Sequence, residues 1–217
     1  MEIPKWLASH LDQESLKKIR EAVIRVEEHT TGEIVPMIVR SSSPTGHMTC
    51  LIFFLFLAFF DLGYFAYLSQ FQGANSTEIQ LAFILVSLIL GSVLSRLTYF
   101  QRLMTPRSDR KHNALVRAEL EFHRSQIRAT TAHTGVLLFV SLMERQAVVL
   151  ADEKVVAKLN SNSWDEVLKT LAAGLKQKDF ALGFSKALEQ VGKIMSEHFP
   201  ADSHANNDLP NDLQIKE

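Results

Sequence analysis

Residues Thr30–Ser42 read TTGEIVPMIVRSS, a strand pattern with no second strand pattern beside it. Apolar side chains lie on both faces of this segment, which is typical of a strand covered on both sides. They are Ile34, Val35, Met37, Ile38 and Val39. Pro36 cannot donate to a ladder, so an edge or a bulge is expected there. A lone strand leaves its backbone groups unpaired, so its partner must lie elsewhere in the chain.

The sequence before this strand predicts an amphipathic helix. Asp12 can cap a helix that runs to about His29. Its apolar residues fall on one stripe, at Leu16, Ile19, Val23 and Val26. Gly32 is placed to end this helix.

Two long apolar runs follow the strand. Cys50–Leu68 has 19 residues and one charge, Asp61, while Ile79–Phe100 has 22 residues and one charge, Arg96. Each run is long enough, as a helix, to cross a hydrocarbon core of about 30 Å. The link between them is short and polar. The pattern predicts a two-span transmembrane helical hairpin.

The flanking charges predict the orientation of this hairpin. Basic residues lie outside both ends, and the link between the runs contains no Lys or Arg. The positive-inside rule therefore predicts two spans in the inner (plasma) membrane with both termini cytoplasmic. The charged first thirty residues argue against a cleaved signal peptide. One cysteine, Cys50, excludes an intrachain disulfide, and a net charge of −1 argues against nucleic acid as a partner.

The sequence after the hairpin returns to a globular pattern. It predicts a helix over Asp109–Ile127 with an apolar face at Leu115, Ala118 and Phe122. Strands Val136–Leu142 and Gln146–Ala151 then form an antiparallel hairpin across a short charged turn. Three helices follow, one of them opened by a capping box of Ser163 and Glu166. The polar tail from Pro200 is predicted to be disordered.

The strand Glu33–Arg40 must pair with the strand hairpin about a hundred residues later, because only these two further strands are predicted. The soluble domain is then discontinuous. Residues 1–48 supply its first helix and strand, and residues 101–199 supply the rest. The transmembrane hairpin occupies residues 49–100, and residues 200–217 form the tail. Both ends of the hairpin return to one side of the membrane, which this arrangement requires.

The residues around these strands resemble the TPM domain family. Glu28–Arg40 and Arg117–Val155 are similar to its pattern of "E..T.GEI.V", then "A...F", then "T....GVL.FVS..ER". The later matching positions are Ala118, Phe122, Thr130, Thr134–Leu137 and Glu144–Arg145. The chain also resembles the bacterial members of the family that carry an inner hairpin. Glu197–Pro200 and Asp208–Leu213 are similar to the end of those sequences. The resemblance implies an α/β/α sandwich interrupted by the two-span hairpin.

The same resemblance suggests two kinds of function. Family members are linked to weak acid phosphatase activity with a bound divalent metal, which here would be Ca²⁺ or Mg²⁺. Members with two spans are associated with LemA-type membrane proteins, which suggests membrane-protein assembly. The residues themselves contain no nucleophile elbow, P-loop, dinucleotide fingerprint or HExxH motif. No catalytic residue or organic cofactor is therefore identified.

Asp152 and Glu153 are the candidate metal ligands. Carboxylate oxygens at the end of a strand could hold a hard cation that polarises a phosphate. The alternative interpretation, which we favour, is that Asp152 caps the next helix and Glu153 complements its dipole. Glu119 and His123, one helical turn apart, could also approach a common ligand, but a solvated helix face is the commoner case for such a pair.

Asp61 is the intramembrane polar residue. A charge at mid-bilayer is costly, so such residues are often functional. Asp61 could line an ion pathway, or it could hold the hairpin or an oligomer together by hydrogen bonds. We favour the second role, with Ser87 and Ser92 at a suitable depth to bond it.

The sequence therefore predicts a membrane-anchored protein of the inner membrane that acts as a non-catalytic interaction, assembly or quality-control factor. Its expected partners are membrane lipid, a membrane protein such as a LemA-type one, and further copies of itself. The alternative is a metal-dependent phosphatase tethered to the membrane.

Overall fold

The computed structural model describes residues 3–43, 48–70, 77–94, 97–127, 133–201 and 209–217. Its elements in chain order are α1 (Gln13–Glu27), β1 (Ile34–Val39), α2 (Met48–Gln70), α3 (Thr77–Leu94), α4 (Thr98–Met104), α5 (Arg107–Arg124), β2 (Val136–Ser141), β3 (Gln146–Ala151), α6 (Glu153–Lys158), α7 (Asp165–Lys176), α8 (Phe180–His198) and β4 (Gln214–Lys216). The chain divides into two compact units. The first unit is Met1–Ser42 with Arg110–Glu217, and the second is Ser43–Asp109.

The lone strand of the sequence pairs where the pattern predicts. β1 lies parallel to β2 from Ile34 opposite Val136 to Val39 opposite Ser141. β2 and β3 form the expected antiparallel hairpin. The described strands make one sheet in the order β3-β2-β1-β4. The discontinuous pairing of β1 with β2 is therefore confirmed.

Pro36 lies in β1 just before the residue at which pairing with β4 begins. The one-to-one register with β2 continues through Pro36, so the strand has no bulge there. The N–H of Arg40 donates to the carbonyl of Lys216. Because backbone groups alternate along a strand, Pro36 also faces the β4 side. β4 begins opposite Met37, so the N–H that proline lacks would point past the end of β4.

Helices cover both faces of the sheet. One face carries Ile34, Ile38, Val136, Leu138 and Val140, which pack with buried residues of α1, α7 and α8. The opposite face carries Val35, Met37, Val39, Leu137 and Phe139, which pack with Ala118 and Phe122 of α5 and with Ile127. The first unit is thus a three-layer α/β/α arrangement. It explains why β1 and β2 are apolar on both faces.

The expected disordered tail is wrong for its last residues. β4 forms at Gln214–Lys216 and pairs in parallel with β1 from Met37 to Val39. Leu213, just before it, is only 2% exposed. A three-residue strand has too little sequence to show alternation, so its polar neighbours hid it. Residues 202–208 lie outside the described residues.

The second unit contains the two apolar runs. The ring of Phe60 stacks on Phe83 with centroids 5.1 Å apart, and Tyr64 meets Phe83 edge-on. Gly91 allows close approach, because a Cβ there would lie 3.1 Å from the Cα of Phe53. These contacts run in opposite order along α2 and α3, so the helices pack antiparallel.

The outer faces of these two helices are apolar and exposed. Each of Phe54, Phe59, Leu62, Phe65, Leu85 and Ile89 is at least 60% exposed. The predicted second span is not one helix, because α3 ends at Leu94 and α4 begins at Thr98. Leu97 between them has extended backbone, which cannot continue a helical ladder. Within the described part of the chain, no helix combines the length and apolarity that crossing a membrane requires.

Two local expectations for the first unit are also wrong. Leu115 is 39% exposed, and Ala114 takes its place on the buried face of α5. The capping box does not form, since Ser161–Trp164 is a 3-10 turn and α7 begins at Asp165 without a side-chain cap.

Candidate functional site

The motif residues at the amino end of β1 hold backbone groups. The N–H of Ile34 donates to Glu27 Oε1 at 2.9 Å. Thr30 Oγ1 donates to the carbonyl of Phe199 at 2.6 Å and accepts from the N–H of Gly32 at 3.1 Å. A side chain at Gly32 would collide with Met195 Cε, so this glycine serves packing and not the end of α1. These contacts fix the start of β1 against α1 and α8.

Glu27 has an unusual environment for a carboxyl group. Burial raises the pKa of Glu27 to about 8, against the opposing effect of the Ile34 N–H, and the nearby Glu33 charge raises it further. Its Oε2 is buried and has no hydrogen-bond partner among the described residues. Glu27 is therefore held as the neutral acid at neutral pH. Its hydrogen bond to the N–H of Ile34 fixes the start of β1.

A second set of motif residues holds the carboxyl end of β1. Glu144 is 1% exposed. Its Oε2 accepts from the hydroxyl of Ser141, and its Oε1 accepts from the N–H of Ser42 at 3.0 Å. Ser42 Oγ also donates to Ser141 Oγ at 2.9 Å. The "FVS..ER" motif thus ties the turn after β2 to the end of β1, which is a structural role.

A buried carboxylate also anchors β4. Glu121 on α5 is 1% exposed and lies 2.6 Å from Lys216 Nζ and 2.9 Å from Arg117 Nε. Burial acts to raise the pKa of Glu121, but the Lys216 ammonium and the Arg117 guanidinium outweigh it and hold the pKa below its ordinary value. Arg117 and Glu121 thus pair one helical turn apart on α5, and Lys216 supplies a second cation.

An open groove of the first unit lies beside β3. It has a volume of about 540 Å³ and is lined by Glu119, Phe122, His123, Leu150, Ala151, Glu153, Val156 and Ala157. These residues come from α5, from the end of β3 and from α6. The lining combines large apolar side chains with two carboxylates and one imidazole. We call this feature the α5–β3–α6 groove.

The two helices that line the groove carry further exposed apolar side chains. Val156 of α6 is 63% exposed, and Leu115, Val116 and Leu120 of α5 are 39%, 47% and 43% exposed. In contrast to the buried motif residues, this surface is accessible. A groove with an apolar floor and a charged rim is suited to hold a segment of another molecule.

The structure gives Asp152 and Glu153 different surroundings. Asp152 is 3% exposed and caps α6, since its Oδ1 accepts from the N–H of Glu153 at 2.8 Å. Its Oδ2 lies 3.6 Å from His133 Nδ1. Glu153 instead faces the groove. Over the described ranges, no three His, Cys, Asp or Glu side chains lie close enough to hold a metal ion. Asp152 therefore caps α6, which is the interpretation that the sequence favours.

Asp61 is exposed on α2. The expected bond from Ser87 does not form, because Ser87 Oγ donates to the carbonyl of Phe83 one turn back in α3 at 2.7 Å. A serine hydroxyl inside a helix can donate to the carbonyl four residues earlier in the same helix. Arg96 lies outside the described residues.

Sequence reasoning missed the groove. The sequence places Glu119 and His123 one turn apart on α5 and Glu153 two residues after β3, but no local pattern joins them. The signal that could have done so is the face of β3. Leu150 shares its face with α5, so the residues at that end of the strand lie under Phe122.

Comparisons with known proteins agree with this fold. The sequence profile of the TPM domain matches residues 73–194. The structure is similar to the NMR structure of BA42 protein from the psychrophilic bacterium Bizionia argentinensis. That similarity has a TM-score of 0.59 at 17% identity over 94% of each chain, and it concerns the fold alone. No curated protein matches the sequence. More than half of the chain matches the family profile, and the chain therefore belongs to the TPM domain family.

Proposed function

We propose that this protein is a membrane-anchored, non-catalytic interaction or assembly factor of the inner membrane. In this proposal the α2–α3 hairpin anchors the chain, and the α5–β3–α6 groove binds a segment of a membrane protein. The observation that carries the proposal is the groove itself, which is open, floored by apolar side chains and rimmed by Glu119 and Glu153.

The chemistry of the groove indicates the kind of segment. Phe122, Leu150 and Val156 offer apolar contact, and the two carboxylates favour a basic residue close by. Cytoplasmic flanks of transmembrane helices place Lys and Arg next to apolar residues. Such a flank therefore matches the groove, and the LemA-type membrane proteins suggested by the family resemblance are the first partners to test.

The exposed apolar faces of α2 and α3 support the anchor. Outside lipid or a partner, side chains such as Phe59 at 70% and Phe65 at 72% exposure would lie in water. Burying them in lipid removes this cost, at about 25 cal/mol per Å² of apolar surface. Both termini are proposed to lie in the cytoplasm, from the basic residues that flank the hairpin.

The groove is tested by photocrosslinking in native membranes. A photoreactive phenylalanine replaces Val156 in the groove, and in a matched variant it replaces Leu182, an apolar residue of α8 that is 42% exposed. We expect a defined membrane protein to be crosslinked at position 156 and not at position 182. Mass spectrometry identifies it.

The rim charges supply the specificity control. The double variant Glu119→Lys, Glu153→Lys reverses the charge of the rim and should abolish the crosslink from position 156. The control variant Glu166→Lys changes an exposed residue of α7 and should leave the crosslink intact. Equal crosslinking at both positions, or crosslinking that survives rim reversal, contradicts binding in the groove.

The anchor is tested separately by extraction. We expect the full chain to stay in the membrane pellet after alkaline carbonate and to leave it in detergent. Reporters fused after Ser76 and at the C-terminus should report opposite sides of the membrane. Release of the chain by carbonate alone would contradict the anchor.

The metal-dependent phosphatase alternative has less support from the residues. Its proposed ligands, Asp152 and Glu153, are a buried helix cap and a groove residue. The test is hydrolysis of a phosphomonoester by the purified full chain with Mg²⁺ or Ca²⁺. Turnover that disappears in both Asp152→Asn and Glu153→Gln would favour this alternative.

A further inference from the structure

The short helix α4 presents an apolar ridge to its surroundings. Tyr99 and Leu103 lie one turn apart on the same side of the helix and are 72% and 68% exposed. Leu97, just before the helix, is 48% exposed. Leu97 at the start of α4 and Thr105 at its end both have extended backbone, so the helix continues neither α3 nor α5. α4 is therefore a distinct short helix with an exposed apolar side.

The first residues of α5 form a cluster of cations. Arg107, Arg110 and Lys111 fall at i, i+3 and i+4, which places them on one face of the helix. Arg107 and Lys111 are exposed, and Nε of Arg110 is buried without a hydrogen-bond partner among the described residues. Within the same part of the chain, none of the three cations forms an ion pair. Asp109 lies on the opposite face of α5, because successive residues of a helix turn by about 100°.

The stability of the chain does not account for these side chains. Cations in the first turn of a helix oppose its dipole, which favours anions at that end. Tyr99 and Leu103 likewise leave apolar surface in water. An anionic surface with an apolar layer behind it would reverse both effects. Residues 79–108 contain no Asp or Glu, so no side chain of this stretch repels such a surface.

We propose that α4 and the start of α5 lie on the membrane surface and bind anionic phospholipid headgroups. Tyr99 and Leu103 enter the boundary between headgroups and acyl chains, where tyrosine is enriched in membrane proteins. Arg107 and Lys111 stay at the level of the phosphates and attract the anionic lipids of the cytoplasmic leaflet.

Continuity with the hairpin selects lipid over a protein partner. α3 exposes Leu85 and Ile89, at 60% and 61%, and the proposed anchor buries them in lipid. α4 begins only four residues after α3 ends, so the chain reaches it at the level where the lipid headgroups lie. This inference therefore rests on the membrane anchor of the proposed function, and its test examines the anchor separately.

The position of α4 is tested with a fluorescent probe on the full chain in vesicles of phosphatidylcholine and phosphatidylglycerol. Cys50→Ser removes the single cysteine, and Leu103→Cys then carries the probe. Matched probes replace Leu85 of α3 and Leu182 of α8, which are 60% and 42% exposed. Lipids with a nitroxide on the acyl chain should quench the probe at positions 85 and 103 and not at position 182. Quenching at position 85 without quenching at 103 overturns this inference and leaves the anchor standing. Absence of quenching at position 85 overturns the anchor, and this inference with it.

The preference for anionic headgroups is measured with the probe at position 103. The nitroxide is carried by phosphatidylglycerol in one set of vesicles and by phosphatidylcholine in the other, at the same overall composition. One cation near an anionic surface changes binding about five-fold, so we expect a preference of about 5- to 30-fold for phosphatidylglycerol at low salt. High salt should reduce this preference, because it screens exposed charges.

Two double variants identify the cations that are responsible. Arg107→Gln with Lys111→Gln should remove the preference for phosphatidylglycerol. Lys17→Gln with Lys169→Gln removes the same charge from exposed side chains of α1 and α7 and should leave the preference intact. Equal quenching by the two lipids in the wild type overturns the binding of anionic headgroups, and so does a preference that survives the loss of Arg107 and Lys111.

Discussion

The two edges of the sheet are built in opposite ways. β4 has three residues, and its alternation leaves only Ile215 facing outward. Its side chains contact α5 through Lys216 and Glu121, and the residue after α5 through Gln214 and Ser125. β3 has six residues, three of them facing outward, and no charge within the strand. Side-chain contacts with residues far earlier in the chain hold the β4 edge in place, whereas the β3 edge is open next to the groove.

The two edges therefore differ in how much they contribute to folding. At the β4 edge, polar groups are satisfied within the chain, so changes there should be measured as lost stability. At the β3 edge, the outward groups have no described partner within the chain, so changes to them should leave folding nearly intact.

Removal of residues 209–217 should have the largest effect on folding. It deletes β4, removes the buried Leu213 and leaves Glu121 with Arg117 as its main cation. We expect a loss of about 4 kcal/mol or more from the free energy of unfolding, from the cavity and the poorly paired charge. Urea unfolding of the full and shortened chains measures it. Arg20→Ala, which breaks an exposed pair with Asp212, is the control and should cost less than about 0.5 kcal/mol.

Proline at adjacent positions of β3 should give very different results. Val148 faces β2, so Val148→Pro removes a ladder hydrogen bond and should cost about 3 kcal/mol. Val149→Pro should cost clearly less than Val148→Pro, because its N–H faces outward and only part of its packing against the core is lost. Thermal unfolding of the two variants compares them directly. Equal losses would show that the outward groups of β3 matter for folding.

Lys216→Met should destabilise the β4 edge by about 1–3 kcal/mol, because it leaves a buried carboxylate with one close cation fewer. The pKa of Glu121 is lowered in the folded state, so its contribution is present above the ordinary carboxyl pKa and is lost as the pH falls through the folded value. The variant should therefore lose less stability on acidification than the wild type. A steeper acid loss in Lys216→Met would contradict the role of this contact.

Glu27→Gln should change the free energy of unfolding as the pH rises, whereas Lys216→Met changes it as the pH falls. Glu27 belongs to neither edge strand, β3 or β4. The pKa of Glu27 is about 8 in the folded state, above its ordinary value, so the folded chain keeps a proton that the unfolded chain has released. Wild-type stability should then fall as the pH rises from about 4.5 to about 8. The amide keeps the bond from Ile34, so Glu27→Gln should be about 1–2 kcal/mol more stable than the wild type at pH 8 and lack this slope. Urea unfolding at pH 5 and pH 8 tests this.

Much of the fold of the first unit could be predicted from residue patterns. The stripe of α1 and the Asp12 cap, whose carboxylate accepts from Ser15 at 2.8 Å, are local features of the chain. The pairing of β1 with β2 could be predicted because a buried strand needs a partner and the sequence shows only two further strand patterns. β4 escaped prediction because its three residues are held by Glu121, a residue about a hundred positions away.

Residue patterns alone predict most elements of the first unit, the pairing of β1 with β2 and the candidate carboxylates, because periodicity and capping are properties of neighbouring residues. The tertiary structure decided which carboxylates serve structure and which line an open surface. Glu27, Glu121 and Glu144 form hydrogen bonds within the fold, while Glu119 and Glu153 line the same groove. Burial and proximity depend on residues far apart in the chain, and no local pattern records them.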